Sequence, residues 1–220
     1  MYLSRLILNP RNRRVQRELA EPYQMHRSIM RAFKDDLQPG EERVLWRVDE
    51  HPRLGLILLV QSWSAPDWSW LAEDGARGYL LPMAEPNPAV KSFELHLTAG
   101  QTLIFRLRAN PTRRLGKSAE YNQGKRVGIY DEEEQIAWLT RKGEQHGFRV
   151  LEARVGHDGK IVNREAIARD GQTHKLEFFG VQFEGVLQVT DPDKLTAAVQ
   201  AGIGSAKGFG FGLLSLAPVG

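Results

Sequence analysis

Twice along its length this chain runs through the same series of patterns, strand, helix, strand, strand, helix, strand, and that repeat restricts its possible folds more than any other feature. Residues 2–8 alternate apolar and polar side chains and stop at Asn9-Pro10, which predicts a strand. A helical stretch follows with Val15 and Leu19 four positions apart, and Pro22 then opens a second helix, where its missing N–H costs nothing. In that helix Met25, Ile29, Ala32 and Phe33 share one side. Residues 42–49 and 54–62 are predicted strands around a turn at His51-Pro52. An irregular region comes next, carrying Trp63, Trp68, Trp70 and prolines 82, 86 and 88, in which 66–71 offer barely one helical turn. Residues 93–97 and 103–109 alternate around Ala99-Gly100 and end at Asn110-Pro111.

The second half repeats the rhythm. A short segment at 125–130 leads to Asp131-Glu132-Glu133, an acidic first turn that complements a helix dipole. That helix is expected to reach His146, with Gly147 just past its end. A strand at 148–155, a hairpin turn at His157-Asp158-Gly159 and a return strand at 161–169 follow. Further strand at 175–189, a helix of about ten residues opened by Asp191-Pro192 and a last strand at 211–217 complete the set. The repeated order is the ferredoxin-like one, shared with the RNA-recognition fold. The expected class is α+β, two tandem ferredoxin-like (RRM-like) domains with antiparallel sheets, at 1–112 and 113–220.

Composition narrows the partners. With no cysteine, structural disulfides and thiolate metal sites are excluded. The first 14 residues place their charges after the apolar run, unlike a secretory signal, and no apolar stretch nears the roughly 20 residues of a membrane span. A cytoplasmic protein without a membrane partner is expected. Net charge is only +3 with a pI near 9.2, yet Arg and Lys gather at 11–17, 27–34, 106–126 and 160–169. Clustered cations on a near-neutral total point to a polyanionic ligand.

Two segments hold residues capable of chemistry. At about 100° per residue, Tyr23, His26, Arg27, Met30 and Lys34 lie opposite the apolar face of the Pro22 helix. A cationic surface needs only Lys or Arg; the imidazole and phenol add proton transfer. A histidine near a helix start is also an ordinary surface or capping residue, so this face alone admits both readings. The second segment, 202–212, has five glycines in eleven positions around Lys207, and exposed N–H groups in such a chain form anion-binding concavities. It lacks the Gly-Lys-Ser/Thr of a Walker loop and the strand–GxGxxG–helix order of a dinucleotide site. A turn is its plainer reading. His51, His96, His146, His157 and His174 sit in turns, on a polar strand face or at a helix end. No histidine pair has zinc-like spacing and no acidic cluster suggests a two-metal nuclease, so neither metal nor cofactor is expected.

The stretch Gly202-Ile203-Gly204, five residues including Lys207, then Gly210-Phe211-Gly212 resembles the C-terminal glycine-rich motif of RAMP-type CRISPR RNA-processing proteins. Tyr2-Leu3-Ser4-Arg5-Leu6, Pro22-Tyr23-Gln24-Met25-His26-Arg27, Phe105-Arg106-Leu107-Arg108-Ala109-Asn110-Pro111 and the closing residues 208–218 resemble the CasE family in order and spacing. CasE is the repeat-RNA-processing subunit of the type I-E Cascade complex. The resemblance implies a metal-independent endoribonuclease that cuts CRISPR repeat RNA at the base of a stem-loop and stays on its product with other Cascade subunits. It implies His26 and Tyr23 as the catalytic pair, with Arg27 and Arg31 near the scissile phosphate. A basic hairpin turn at 156–160, including Lys160, would engage the stem. Lys207 with Gly204, Gly208 and Gly210 would line the RNA, and charge nominates Arg113, Arg114, Lys117, Lys125 and Arg126 for its phosphates. The rival readings are a non-catalytic RNA-binding protein of ferredoxin-like fold and an enzyme holding a nucleotide phosphate at the glycine-rich loop.

Overall fold

Tyr2–Ile7 forms β1, and Asn12 then caps helix α1 (Arg13–Ala20) by accepting hydrogen bonds from the backbone N–H groups of Arg14 and Val15. Helix α2 (Pro22–Met30), strands β2 (Leu45–His51) and β3 (Gly55–Ser62) and the short β4 (Ala89–Ser92) follow. The computed structural model describes residues 1–34, 40–114, 126–167 and 173–219, with the side chains of 160–167 and 173–176 left aside. The first sheet has the order β2-β3-β1-β4 with every neighbouring pair antiparallel, the strand order of a ferredoxin-like domain. Tyr2 faces Ser62 and Ile7 faces Ile57 across β1 and β3. Two 3-10 turns, Ser69–Ala72 and Asp74–Ala76, stand where the second helix belongs.

The second unit begins with β5 (Thr102–Ala109), followed by the short ladder β6 (Thr112–Arg114) and β7 (Arg126–Gly128). Helix α3 (Glu132–Gln145), long strands β8 (Phe148–Ile167) and β9 (Thr173–Val189), helix α4 (Pro192–Ala201) and β10 (Leu214–Pro218) complete it. Its sheet order, β10-β5-β9-β8, is again the ferredoxin-like one. By contact, one unit comprises Met1–Leu95, Val162–Leu176 and Lys207–Gly210, and the other His96–Ile161, Glu177–Ala206 and Phe211–Gly220.

Each core follows from its pattern. In the first unit Met25, Ile29, Ala32 and Phe33 are buried as their spacing requires, together with Leu6, Leu8, Trp46, Leu58 and Val60. In the second, Leu103, Phe105 and Leu107 alternate inward from β5 beside Val181, Phe183 and Leu187 of β9. Asp131 caps α3 through the Glu134 N–H at 2.9 Å, and Glu132, Glu133 and Glu134 fill its first turn. Gly147 follows its end at φ +76°, where a side chain would strike the Asp191 carbonyl.

Several expectations change. α2 ends at Met30, so Lys34 lies beyond the helix, although Ala32 and Phe33 stay buried through turn hydrogen bonds to Ile29 and Met30. Leu19 is exposed and Glu18 is the buried neighbour of Val15, because Arg14, Ser28 and Tyr79 satisfy its carboxylate. Residues 93–97 are not a strand, and β5 pairs with β9 and β10 instead. β4 gives no alternation to read, being mostly exposed and only four residues long; β1 supplies its ladder. The turn expected at 157–159 lies inside β8, which runs on to Ile167. Gly156, Gly159 and the charged residues there look like loop chemistry locally, but pairing along the sheet carries them as strand.

Candidate active site

α2 opens without a side-chain cap and carries Tyr23 and His26 one turn apart on the face opposite Met25 and Ile29. Against that face lies the 3-10 turn Lys207–Phe209, which belongs to the same unit. The Tyr23 and Phe209 ring centroids are 6.2 Å apart at 30°. A methyl group built on Gly208 would lie 3.5 Å from Cδ2 and 3.6 Å from Nε2 of His26, so the imidazole edge rests directly over that backbone. The two segments that the sequence marks as chemically unusual, 180 residues apart, thus meet.

His26 is partly exposed, but its Nδ1 is buried with no hydrogen-bond partner among the described residues. Loss of hydration penalises the imidazolium and holds the pKa below its ordinary value of 6.5. A ring that stays neutral near pH 7 can accept a proton at Nε2, the nitrogen on the Gly208 side.

Gly210 supports this turn from below. Its φ is +82°, and a Cβ there would come 2.8 Å from Cζ3 of the buried Trp46 ring, so both conformation and space require glycine. The Gly210 N–H donates to the Lys207 carbonyl at 3.3 Å, closing the turn. Nothing in the sequence singled out Trp46, which reads as one apolar residue of β2, or Phe209 as the neighbour of Tyr23.

The cations divide. Arg27 is exposed with no ion pair among the described residues. Arg31, the residue after α2, donates to Glu73 at 2.7 Å and lies 4.6 Å over Trp70, so its guanidinium is already held. Lys207 begins the 3-10 turn. Gly204 belongs to the second unit, at φ +90° against the Trp138 ring. Arg114 and Arg126 face one another across the β6–β7 ladder, both exposed, and Arg113 lies 3.8 Å from Glu134. Lys117 and Lys125 lie outside the described residues, as does the Lys160 side chain, whose backbone is within β8.

Behind α2 the Glu18 carboxylate, 2% exposed, accepts from Arg14 Nε at 2.8 Å, Ser28 Oγ at 2.6 Å and Tyr79 Oη at 2.5 Å. Burial, and next the Glu18 charge, push the Tyr79 phenol far above its usual range, so it remains a donor. Ser28 ties this cluster to the helix that carries His26. Trp68 and Trp70 pack inside, Trp68 donating to Ser4 Oγ at 3.1 Å, whereas Trp63 is 40% exposed. His51 Nδ1 accepts from the Arg53 and Leu54 N–H groups, and His146 ends α3. Among the described residues no group of three His, Cys, Asp or Glu is placed to hold a metal, and no helix is long and apolar enough to cross a membrane.

A family model described as CRISPR associated protein matches residues 1–218. The chain is 40% identical to the CRISPR-associated endoribonuclease Cse3 of Thermus thermophilus, over 99% of this chain and 100% of that protein. It is 32% identical to the CRISPR system Cascade subunit CasE of Escherichia coli, over 100% of both. Among solved structures, CRISPR endoribonuclease Cse3 bound to a 19-nucleotide RNA is similar at a TM-score of 0.82 and 39% identity, over 99% of this chain and 100% of that one.

Proposed function

This chain belongs to the CRISPR-associated protein family, as an endoribonuclease of the Cse3/CasE kind, and we propose that it cuts CRISPR repeat RNA where His26 and Tyr23 meet the Lys207–Gly210 turn. It binds RNA and works as a Cascade subunit. The observation that carries the site assignment is the imidazole edge of His26 lying over Gly208, with Tyr23 one turn earlier beside Phe209.

RNA brings its own nucleophile. The 2′-oxygen attacks the adjacent phosphorus, the bond to the 5′-oxygen breaks, and the proton lost from the 2′-hydroxyl is balanced by one gained on the leaving 5′-oxygen. The products are a 2′,3′-cyclic phosphate, or the 3′-phosphate from its hydrolysis, and a 5′-hydroxyl. His26 and Tyr23 serve the two ends of this transfer, in one order or the other. Arg27 stands exposed near them to stabilise the charge of the pentavalent phosphorane, and Arg31 joins it on release from Glu73. Side chains and the RNA itself carry every step, and the reaction proceeds in the cytoplasm without a metal.

Incubation with stem-loop repeat RNA in EDTA tests this reading. Wild type should cut, His26→Ala should bind without cutting, and RNA with hydrogen in place of the scissile 2′-hydroxyl should stay whole. Wild-type cleavage by His26→Ala, cleavage of the deoxy analogue, or a strict Mg²⁺ requirement would overturn it. A non-catalytic RNA binder would differ by losing nothing on removal of the imidazole.

A further inference from the structure

The second unit displays an aromatic ring at its surface. Tyr130 is 68% exposed, the most exposed of the large hydrophobic residues in the described chain. It is nevertheless held in place. A Cβ on Gly128 would lie 3.2 Å from its Cζ and Oη, so the ring rests against that glycine. It meets Phe179 in an edge-to-face pair, with centroids 4.9 Å apart at 63°. Phe179 in turn meets His157 at 5.5 Å, and His157 Nε2 lies 3.0 Å from Oε1 of Gln135. Gln135 is fully buried and donates to the Ile129 carbonyl at 3.0 Å, one residue before Tyr130. The ring is thus braced by Gly128 and Phe179 and still 68% exposed.

The charges around it say what it takes. Gly128 and Arg126 are two apart on β7 and so share a face of the ladder. Arg114 stands directly opposite Arg126 and Thr112 opposite Gly128. The Tyr130 ring and two exposed guanidinium groups therefore occupy one face, about 7 Å apart along the strands. Like charges directly opposed across a ladder destabilise it, and Lys142 of α3 is close enough to Arg126 for that charge to be felt at its amine. A polyanion relieves the repulsion, and a flat face beside it stacks a base.

We propose that Tyr130 stacks an unpaired nucleobase of the bound RNA while Arg114 and Arg126 hold the phosphates beside it. This rests on the RNA-processing reading and adds a base-contacting subsite to it. Stacking of this kind tolerates any base, because every base has a π-face.

The test places 2-aminopurine at successive unpaired positions of the repeat RNA and measures its fluorescence, with affinity from anisotropy. Wild type should quench one position. Tyr130→Ala should abolish that quench and weaken binding roughly 5- to 150-fold, the range expected for one stacked base. Tyr130→Phe should keep both, and Tyr130→Leu should behave like the alanine variant. An unchanged quench profile in Tyr130→Ala, or full function of Tyr130→Leu, overturns the proposal. So does a Tyr130→Ala protein that keeps its RNA affinity but loses other Cascade subunits, which would make the ring a protein contact. Were wild type neither to bind nor to cut the repeat, the RNA-processing reading itself would fall; normal binding and cutting with an indifferent Tyr130 removes only this subsite.

Discussion

Nδ1 of His26 lies buried without a partner among the described residues, and burial holds the imidazole below its ordinary pKa. The sign of the consequence is fixed. A lowered pKa keeps the ring neutral to a more acidic pH, so a reaction needing neutral His26 gains rate as pH rises through a midpoint below 6.5 and is flat above it. The pH profile of kcat/KM on repeat RNA reports that free-enzyme group; a rising limb with its midpoint below 6.5 would give His26 the role of base, and a midpoint above 6.5 would exclude it from that role. His26→Ala should lower the cleavage rate by about 10²- to 10⁴-fold, the usual worth of a positioned acid or base, measured under single turnover with bound RNA. The helical spacing made His26, Tyr23 and Arg27 legible together, since residues three and four apart share a face. It could not show the orphaned nitrogen, which depends on what the fold lays over the ring. Nor could it show that Arg31 is held by Glu73 and Trp70, because those partners come from a turn 40 residues away whose own pattern is irregular.

The glycine-rich turn separates two roles that look alike on paper. Gly210 combines a left-handed φ with a Cβ position 2.8 Å from the Trp46 ring. For Gly210→Ala the left-handed backbone costs about 1–2 kcal/mol and overpacking about 1–3 kcal/mol, so denaturant unfolding should show a loss of about 2–5 kcal/mol. Gly208→Ala meets only ordinary contacts, at 3.5 Å and 3.6 Å from the His26 ring. Its stability should stay within about 0.5 kcal/mol of wild type, while its methyl occupies the space beside Nε2 and cleavage falls about tenfold or more. Equal effects in both assays for the two variants would refute this division. Glycine spacing announced a close approach of backbone to something; only the fold shows that Trp46 and His26 are the somethings. A similar blindness applies to α1, where the pattern favoured Leu19 and the structure buries Glu18. Removing that carboxylate by Glu18→Ala leaves Arg14, Ser28 and Tyr79 without their acceptor and should cost about 3–5 kcal/mol, read from the unfolding midpoint.

At the scale of the whole molecule, the duplicated strand–helix rhythm was legible because each ferredoxin-like unit must bury one sheet face beneath helices, and those faces write their periods into the chain. What was not legible is where strands end when pairing, rather than local pattern, decides, as in β8 running through His157-Asp158-Gly159. Charge distribution follows the same logic: a net of +3 conceals opposed arginines at 114 and 126 that the fold sets face to face. Evolution toward stability alone would separate them, so an arrangement that strains the free protein and gains on meeting an anion should show opposite signs in two assays. Replacing both by Ala should leave the free protein as stable as wild type or more so, by up to about 1 kcal/mol. The same change should weaken RNA binding and flatten the slope of log K against log salt by about 0.7–0.9 for each lost phosphate contact. A double variant that loses stability while keeping the wild-type salt slope would show the pair to be structural, and the phosphate contacts would then have to be sought elsewhere on the chain.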